Sequence, residues 1–376
     1  MKEQLLTIGE SLKERLVQMN RFIHDHPELG NQEYQAVETL TTFLKEHNFE
    51  IKCPVAGLET AFEAVYDSGK PGLSVAYLCE YDALPELGHG CGHNMIGVIS
   101  VGAGVALSKV IDEVGGKVYV FGTPAEETNG AKVTMTEAGV FNGLDAVMMV
   151  HPSGYTTESG TSLAMEALQF DYTGRPSHAA ASPEDGINAL NAVIQLFNGI
   201  DALRQHVTSD VRMHGIITNG GVAANIVPEH ATAQFYIRAA TKEYLAVVKE
   251  KVLGIAQGAA LMTGATLEVS NYELSYDDLK TNEILSQTFN ENIRSLGIKE
   301  IHPHKSSTGS VDIGNISNIC PTIHPYIGIA DCEITGHSQQ MVDATVTDLA
   351  HERLVIAAVA LAYTGYDVLS GAVKLK

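Results

Sequence analysis

Residues 72–94 read GLSVAYLCEYDALPELGHGCGHN, and this stretch decides the fold class. Pro71 and Gly72 precede a short apolar run at 73–78, which is typical of a strand buried on both faces. A polar, glycine-rich loop follows, and residues 95–111 then predict a helix of small and apolar side chains. The order of buried strand, polar loop and buried helix is that of one repeat of an α/β fold.

Two more apolar runs continue this pattern along the chain. They predict strands at 117–122 and 146–150, with a short helix at about 129–138 between them. The alternation implies a parallel sheet with right-handed crossovers. The remaining predicted elements of this domain are helices at 1–20, 34–47, 280–296 and 343–365, and strand-like segments around 320–330.

A second pattern interrupts the first. Its predicted elements are a strand at 167–174, a helix at 185–204, strands at 211–218 and 230–239, a helix at 242–262 and a strand at 266–272. The order βαββαβ is typical of a ferredoxin-like domain. We therefore predict one domain from residues 1–164 and 276–376, with a ferredoxin-like domain inserted at 165–275.

Side chains that can bind metals follow each of the three predicted parallel strands. Cys91 and His93 follow the first strand, Glu126 and Glu127 the second, and His151 the third. Ligands bind at the carboxyl edge of an open α/β sheet. Thiolate, imidazole and carboxylate together are the donors of a transition-metal site.

His337 joins Cys91, His93, Glu127 and His151 in a set of five donors. This set suffices for two ions of four or five ligands each, if Cys91 bridges, Glu127 is bidentate and a hydroxide bridges. A single ion also fits the same residues. Glu126 is then free to act as general base beside the metal-bound hydroxide, and Asp82 can orient a ligand imidazole.

Composition excludes several classes of partner. The 376 residues carry a formal net charge of −21, which argues against nucleic acid and anionic membranes. We find neither an apolar run of membrane-spanning length nor a secretory signal at the N-terminus. Five cysteines in a chain this long do not form a disulfide scaffold. Together these features predict a cytoplasmic protein.

Three motifs resemble those of the aminoacylase/carboxypeptidase family of dinuclear metal amidohydrolases. The motifs are the segment 80–94, Pro-Ala-Glu-Glu at 124–127 and Gly-Arg-Pro-Ser-His at 174–178. They are most similar to the branch with aminobenzoyl-glutamate hydrolase and the indole-acetyl-amino-acid hydrolases. The resemblance implies two divalent ions, with zinc favoured and manganese as the alternative. It implies Glu126 as general acid/base, and the metal ligands Cys91, His93, Glu127, His151 and His337.

The resemblance also assigns roles to the inserted domain, as a lid and a dimerisation domain. His178 would polarise the scissile carbonyl, from its own chain or from a partner subunit, while Asn225 and Arg238 would bind a substrate carboxylate. The implied substrate is an N-acyl amino acid, an aminobenzoyl-glutamate-like amide or a dipeptide. The implied assembly is a homo-oligomer, either a dimer or a tetramer.

The sequence departs from the wider family at two positions. Glu80 stands where that family has the histidine of a His-x-Asp motif, and Asn94 stands near its bridging carboxylate. Cys91 takes over the bridging position, as in the branch named above. No role is assigned to Asp312 of the Gly-Ser-x-Asp segment, and His324 is interpreted as structural.

Two other functional hypotheses fit parts of the sequence. In the first, Cys91 is the nucleophile of a thiol hydrolase and His93 is its base, although two positions on one glycine loop strain that geometry. In the second, the protein binds ligands of this kind without turning them over. The presence of Glu126, which a pure binding protein does not need, argues against the second hypothesis.

Overall fold

The computed structural model describes residues 1–304, 309–330 and 332–375, which form two compact units. The first unit contains residues 1–161 and the described parts of 279–307 and 311–376. The second contains Ser162–Asp278 with Gly309 and Ser310. Each unit encloses buried apolar side chains of its own.

The helices and strands are numbered here along the whole chain. The helices are α1 (Lys2–Asp25), α2 (Tyr34–Glu46), α3 (His93–Ser108), α4 (Ala131–Glu137), α5 (Ala189–Leu203), α6 (Lys242–Thr263), α7 (Glu283–Ser295), α8 (Ile313–Ser317), α9 (Gln339–Ala344) and α10 (Asp348–Leu369). The strands are β1 (Glu50–Lys52), β2 (Phe62–Asp67), β3 (Ser74–Cys79), β4 (Lys117–Gly122), β5 (Ala146–Met148), β6 (His151–Ser153), β7 (Ala164–Thr173), β8 (Arg212–Asn219), β9 (His230–Ala239), β10 (Thr266–Asn271), β11 (Thr322–Ile323) and β12 (Tyr326–Gly328).

The first unit is built on a six-stranded sheet in the order β1-β2-β4-β3-β5-β11. The strands β4, β3, β5 and β11 are parallel, whereas β2 and β1 continue the sheet in antiparallel pairs. The predicted α/β class with a parallel sheet is therefore confirmed, and its parallel strands place their carboxyl ends at one edge.

The central strand and helix form because their side chains are apolar on all sides. Five consecutive residues of β3, from Val75 to Cys79, are buried, as expected of a parallel strand covered on both faces. Every residue of α3 is buried as well. Small side chains such as Gly102 and Gly104 let this helix pack closely, with Leu16 against the first and Val120 against the second.

The third predicted strand, at 146–150, is shorter in the structure. β5 stops at Met148, and the chain enters a separate two-stranded sheet in which β6 pairs in parallel with β12. Met149 and Val150, which connect β5 to β6, are buried. The apolar run in the sequence therefore extends past the end of β5. The predicted helix at 343–365 likewise corresponds to two helices, α9 and α10.

The second unit has the predicted element order βαββαβ. Its sheet runs β10-β7-β9-β8, and every neighbouring pair is antiparallel. Helices α5 and α6 contact each other and the central strands. The core includes Phe170 and Phe235 from the sheet and Ile200 and Val252 from the helices. The inserted ferredoxin-like domain is thus confirmed as a fold.

Two strands of the first unit were not predicted from the sequence. The short antiparallel strands β1 and β2 were not predicted, because residues 50–52 and 62–67 carry no long apolar run. Within the described ranges, no helix combines the length and the apolar composition that crossing a bilayer requires.

Candidate metal centre

The carboxyl ends of three neighbouring strands carry most of the predicted site. Asp82 follows β3, Glu126 and Glu127 follow β4, and His151 follows β5 as the first residue of β6. Because β3 pairs in parallel with both β4 and β5, these side chains emerge at one edge of the sheet. The three strand ends therefore lie side by side, as the order of strands along the sequence predicts.

Cys91 and His93 reach the same edge through a tight turn before α3. Gly92, between them, has a φ of +84°, in the left-handed region that glycine adopts without strain. A β-carbon on Gly92 would collide with the Pro152 side chain. Glycine at 92 therefore lets the turn approach β6, where His151 lies.

The five predicted metal ligands come together in the structure. The Cys91 Sγ lies 3.4 Å from the His151 Nε2, and the His337 Nε2 lies 3.2 Å from the Glu127 Oε1. Donor atoms of Cys91, His93 and His151 lie within 4.8 Å of one another, and so do those of Cys91, Glu127 and His337. These two groups share the Cys91 sulfur, and a third group within the same limit joins His93, Glu126 and Glu127.

Hydrogen bonds fix the ligand side chains in orientations suited to metal binding. The Asp82 carboxylate is 2.8 Å from the His93 Nδ1 and accepts the Glu127 backbone N–H at 2.9 Å. The His151 Nδ1 is 2.7 Å from the Pro152 carbonyl, and since a carbonyl only accepts, Nδ1 carries the hydrogen. In each imidazole the Nε2 lone pair is left for a metal ion.

The charge of Asp82 supports the same orientation. Burial raises the pKa of Asp82, but the adjacent His93 lowers it by more. The pKa of Asp82 therefore lies below its ordinary value. An ionised carboxylate can only accept hydrogen bonds. The His93 Nδ1 is therefore the donor in this pair.

Two buried polar atoms test whether the cluster fits a metal. The His93 Nε2 and the Glu127 Oε1 are buried and have no hydrogen-bond partner. Orphaned buried polar atoms are rare because each forfeits its interactions with water. Both atoms face the donor cluster, where a divalent cation would satisfy them, so the residues fit a metal centre.

The thiol of Cys91 has the properties of a metal ligand and not of a nucleophile. Burial raises its pKa to about 12, whereas a nucleophilic cysteine requires a lowered pKa. A coordinating metal deprotonates a thiol directly. The thiol-hydrolase hypothesis is therefore not supported.

Glu126 lies at the margin of the cluster. Its Oε2 is 4.0 Å from the His93 Nε2, farther than the donor pairs described above. Burial raises the pKa of Glu126 well above its ordinary value, and the nearby carboxylates of Glu80 and Asp312 raise it further. A raised pKa in a site of this kind marks a carboxyl group as a candidate for acid/base catalysis.

His337 comes from a different part of the chain and is more exposed. Its side chain is 57% exposed, and its backbone φ of +56° is unusual for a residue with a β-carbon. Its N–H donates to the Gly90 carbonyl at 2.9 Å. This contact ties the loop before α9 to the Cys91 turn.

The sequence interpretation missed a buried charged group beside the cluster. The Lys132 Nζ lies 2.6 Å from the Glu80 Oε1 and 2.8 Å from the Asp312 Oδ1, and all three side chains are at most 4% exposed. Glu80 was noted only as a family departure and Asp312 had no role. Lys132 was not considered, because a single lysine in a helix is usually solvated.

His324, which the sequence analysis interprets as structural, lies at the site, and so does Tyr326, which no motif singles out. The His324 ring centroid is 5.6 Å from that of His151, and the Tyr326 centroid is 5.3 Å from that of His151. Burial, with the proximity of His151, lowers the pKa of His324 to about 3. His324 is therefore a neutral packing partner of a ligand imidazole.

In the second unit, His178 and Asn225 are adjacent. The Ala179 N–H donates to the Asn225 carbonyl at 3.0 Å, and the His178 Nδ1 accepts the N–H of Ala181 at 3.1 Å. Asn225 precedes the start of β9, whereas Arg238 lies near the C-terminal end of that strand. The Arg238 guanidinium is 5.6 Å from the Tyr236 ring centroid. The three predicted substrate residues are thus in two separate places.

Comparison with known proteins agrees with the fold. Residues 167–261 match the peptidase dimerisation domain family. The chain is 37% identical to the mouse Xaa-Arg dipeptidase over 376 residues, covering 95% of this chain and 86% of that protein. It is 34% identical to one of the polypeptides of the Escherichia coli p-aminobenzoyl-glutamate hydrolase, over 69% of this chain and 58% of that one.

A solved structure has the same fold along nearly the whole chain. A Bacillus subtilis protein, described as a dinuclear metal binding peptidase of the M20 family, superposes with a TM-score of 0.73. The alignment covers 96% of this chain and 99% of that chain at 23% identity. At that identity the likeness concerns the fold alone.

The fold and the donor set define a metal-dependent hydrolase of amide bonds. The chain is 37% identical to the mouse dipeptidase along nearly its whole length. It therefore belongs to the M20 family of peptidases and amidohydrolases. The family resemblance inferred from the three motifs is therefore confirmed, and so is the enzyme class.

The hydrogen bonds of Asp82 predict a specific effect on metal affinity. Replacing Asp82 with Asn removes the charge that orients His93, so metal affinity should fall about 10- to 100-fold, as for other outer-sphere partners. Competition with a chelator measures this change. Asp145→Asn is the matched control, because Asp145 also accepts a backbone N–H, from Ser74 at 2.8 Å at the opposite end of β3. Equal affinities in all three proteins would contradict the orienting role.

Proposed function

We propose that this protein hydrolyses the amide bond of a dipeptide or an N-acyl amino acid at a centre of two divalent ions. Cys91, His93, Glu127, His151 and His337 are the proposed ligands. The observation that carries the proposal is the convergence of these five donors around two buried atoms that lack hydrogen-bond partners. Sharing of Cys91 by both donor groups favours two ions over one.

Zinc is the proposed metal, since thiolate and imidazole donors favour it, and manganese is the alternative. When bound, such ions polarise the substrate carbonyl and make water a nucleophile at neutral pH. The side chains supply the rest. Asp82 holds His93 in its tautomer, and the five donors would hold the ions.

Glu126 is the proposed general base and acid. Its carboxylate takes a proton from the attacking water and delivers it to the amine nitrogen as the C–N bond breaks. The raised pKa of Glu126, caused first by burial and then by Glu80 and Asp312, enables the carboxyl group to hold that proton between the two transfers.

Replacing Glu126 with Gln should lower kcat about 10²- to 10⁴-fold, the usual contribution of one acid/base group. The metal content should not change, because Glu126 is not a proposed ligand. Turnover and elemental analysis on the same sample check both expectations. Glu137→Gln, an exposed carboxylate at the end of α4, is the control. Full turnover by the Glu126 variant would exclude this role.

A dipeptide is the proposed substrate class, because two relatives that match 95% of this chain, at 37% and 36% identity, are named Xaa-Arg dipeptidases. An aminobenzoyl-glutamate-like amide is the alternative, after the E. coli relative. A screen of dipeptides and N-acyl amino acids, with and without chelator, separates them. Binding without turnover in the metal-loaded protein would instead support a catalytically silent homologue.

The proposed compartment is the cytoplasm. All five cysteines are free, which fits a reducing environment. Cell fractionation tests this, and recovery of the protein with secreted material would contradict it.

The proposed assembly is a homodimer in which the second unit acts as a lid and dimerisation domain. Along β9, Arg238 is eight residues from His230, a span of roughly 26 Å at strand geometry, and Asn225 lies beyond His230. One dipeptide cannot touch both Asn225 and Arg238 of a single chain. If both residues bind the same substrate, two chains must supply them.

Complementation between inactive variants tests this assembly. Asn225→Ala and Arg238→Ala homodimers should each be strongly impaired. Randomly mixed subunits should recover about a quarter of the wild-type activity, because half the dimers are mixed and one of two sites in each is intact. Mixing Asn225→Ala with His178→Ala, whose positions are adjacent, is the control that should recover nothing. No recovery in the first mixture would contradict shared sites.

A further inference from the structure

We infer that Glu80 is a sixth protein ligand of the metal centre, bound to the same ion as His93, and that Lys132 and Asp312 hold it in place. The inference rests on the proposed function, because it presupposes that His93 binds an ion. It adds a carboxylate that the five-donor set does not contain.

Glu80 occupies the position from which a ligand would reach His93. It directly follows the last residue of β3, and its side chain is 4% exposed. Its Oε2 lies 3.4 Å from the His93 Nε2, the same atom that is buried without a hydrogen-bond partner. Both atoms therefore face the same point in the site.

The spacing matches that of two donors on one ion. A histidine nitrogen and a carboxylate oxygen, each about 2.0–2.2 Å from zinc at a tetrahedral angle, lie about 3.4 Å apart. The Glu80–His93 separation is 3.4 Å, whereas Glu126 and Glu127 lie 4.0 and 3.8 Å from the same nitrogen. Of these carboxylates, Glu80 is the one spaced to share the ion of His93.

Lys132 leaves one oxygen of Glu80 available. The ammonium lies against the Glu80 Oε1 and against Asp312, which also accepts the Lys132 backbone N–H at 3.3 Å. The clamp therefore immobilises Oε1 and turns Oε2 towards His93. A lysine with these contacts acts as a positioning residue and does not itself touch the ion.

The charge of this buried group also calls for a cation. At their ordinary charges, two carboxylates and one ammonium carry one negative charge in excess, in a place where all three side chains are at most 4% exposed. Buried excess charge is costly unless it is paired or binds a metal. A divalent ion beside Oε2 supplies that pairing.

The consequence is an asymmetric pair of sites. The ion held by His93 would gain a carboxylate from Glu80, whereas the ion of Cys91, Glu127 and His337 would keep three protein donors and a position for water or substrate. Glu80 would thereby direct the chemistry to the second ion.

Metal binding by Glu80→Gln, compared with the wild type and with Asp367→Asn, tests the inference. Asp367 is the matched control, because it is a largely buried carboxylate paired with a lysine, Lys2, at 2.8 Å and lies outside the metal cluster. Zinc stoichiometry and affinity are measured by chelator competition, and the cobalt(II)-substituted proteins are compared by their visible spectra. Circular dichroism checks that each variant is folded.

Glu80→Gln should bind one of its two ions at least 10- to 100-fold more weakly, the loss typical of even indirect partners. Its cobalt spectrum should change, because one ion loses a ligand, while Asp367→Asn should match the wild type. Unchanged affinity and spectrum in Glu80→Gln would overturn the inference and leave the five-ligand centre intact. A wild-type protein that binds no ion would instead overturn the proposed function.

The zinc-loaded wild-type protein provides a measurement that does not depend on how the variant folds. In its crystals the Glu80 Oε2 should lie about 2.0–2.2 Å from the ion bound by His93. A carboxylate more than about 3 Å from that ion is outside bonding distance and would overturn the inference.

Discussion

The Asp82 carboxylate is the contact on which the arrangement of the site depends. One oxygen bonds the His93 ring and the other accepts the Glu127 backbone N–H, so one buried side chain joins the ends of β3 and β4. Burying a carboxylate is unfavourable unless both oxygens find partners. Here they do, and the result is that the His93 Nε2 and the Glu127 side chain face a common point.

The rest of the fold serves to bring donors to that point. Parallel pairing of β3 with β4 and β5 sets the three strand ends side by side. The left-handed Gly92 allows the Cys91 turn to approach β6, and the His337 N–H holds the last donor to the same turn through the Gly90 carbonyl. Buried negative charge then accumulates around the donors, and the single ammonium of Lys132 offsets only part of it. A site of this kind is suited to cations.

Much of this could be predicted because the deciding signals are local. The bounds of β4 follow from an apolar run with a clear end, and those of β9 from regular alternation of apolar and polar residues. The donors could be placed because they follow apolar strands closely. The break between β5 and β6 could not be predicted, since Met149 and Val150 continue the apolar run. The strand β1 was missed because it has three residues, and β2 because its partly exposed side chains interrupt the apolar pattern.

The buried partners of the site are harder to predict for a different reason. Lys132, Glu80 and Asp312 lie far apart in sequence, and each alone is typical of a solvated residue. Only the packing of α4 near the end of β3 and the start of α8 reveals them as one group. The separation of Arg238 from Asn225 also depends on strand register, which motifs do not encode.

Anomalous diffraction at the zinc absorption edge, from crystals of the metal-loaded protein, tests the central claim most directly. Two peaks about 3.5–4 Å apart are predicted, one beside Cys91, His93 and His151 and the other beside Cys91, Glu127 and His337. Peaks at other side chains, or none at these five after loading, would contradict it.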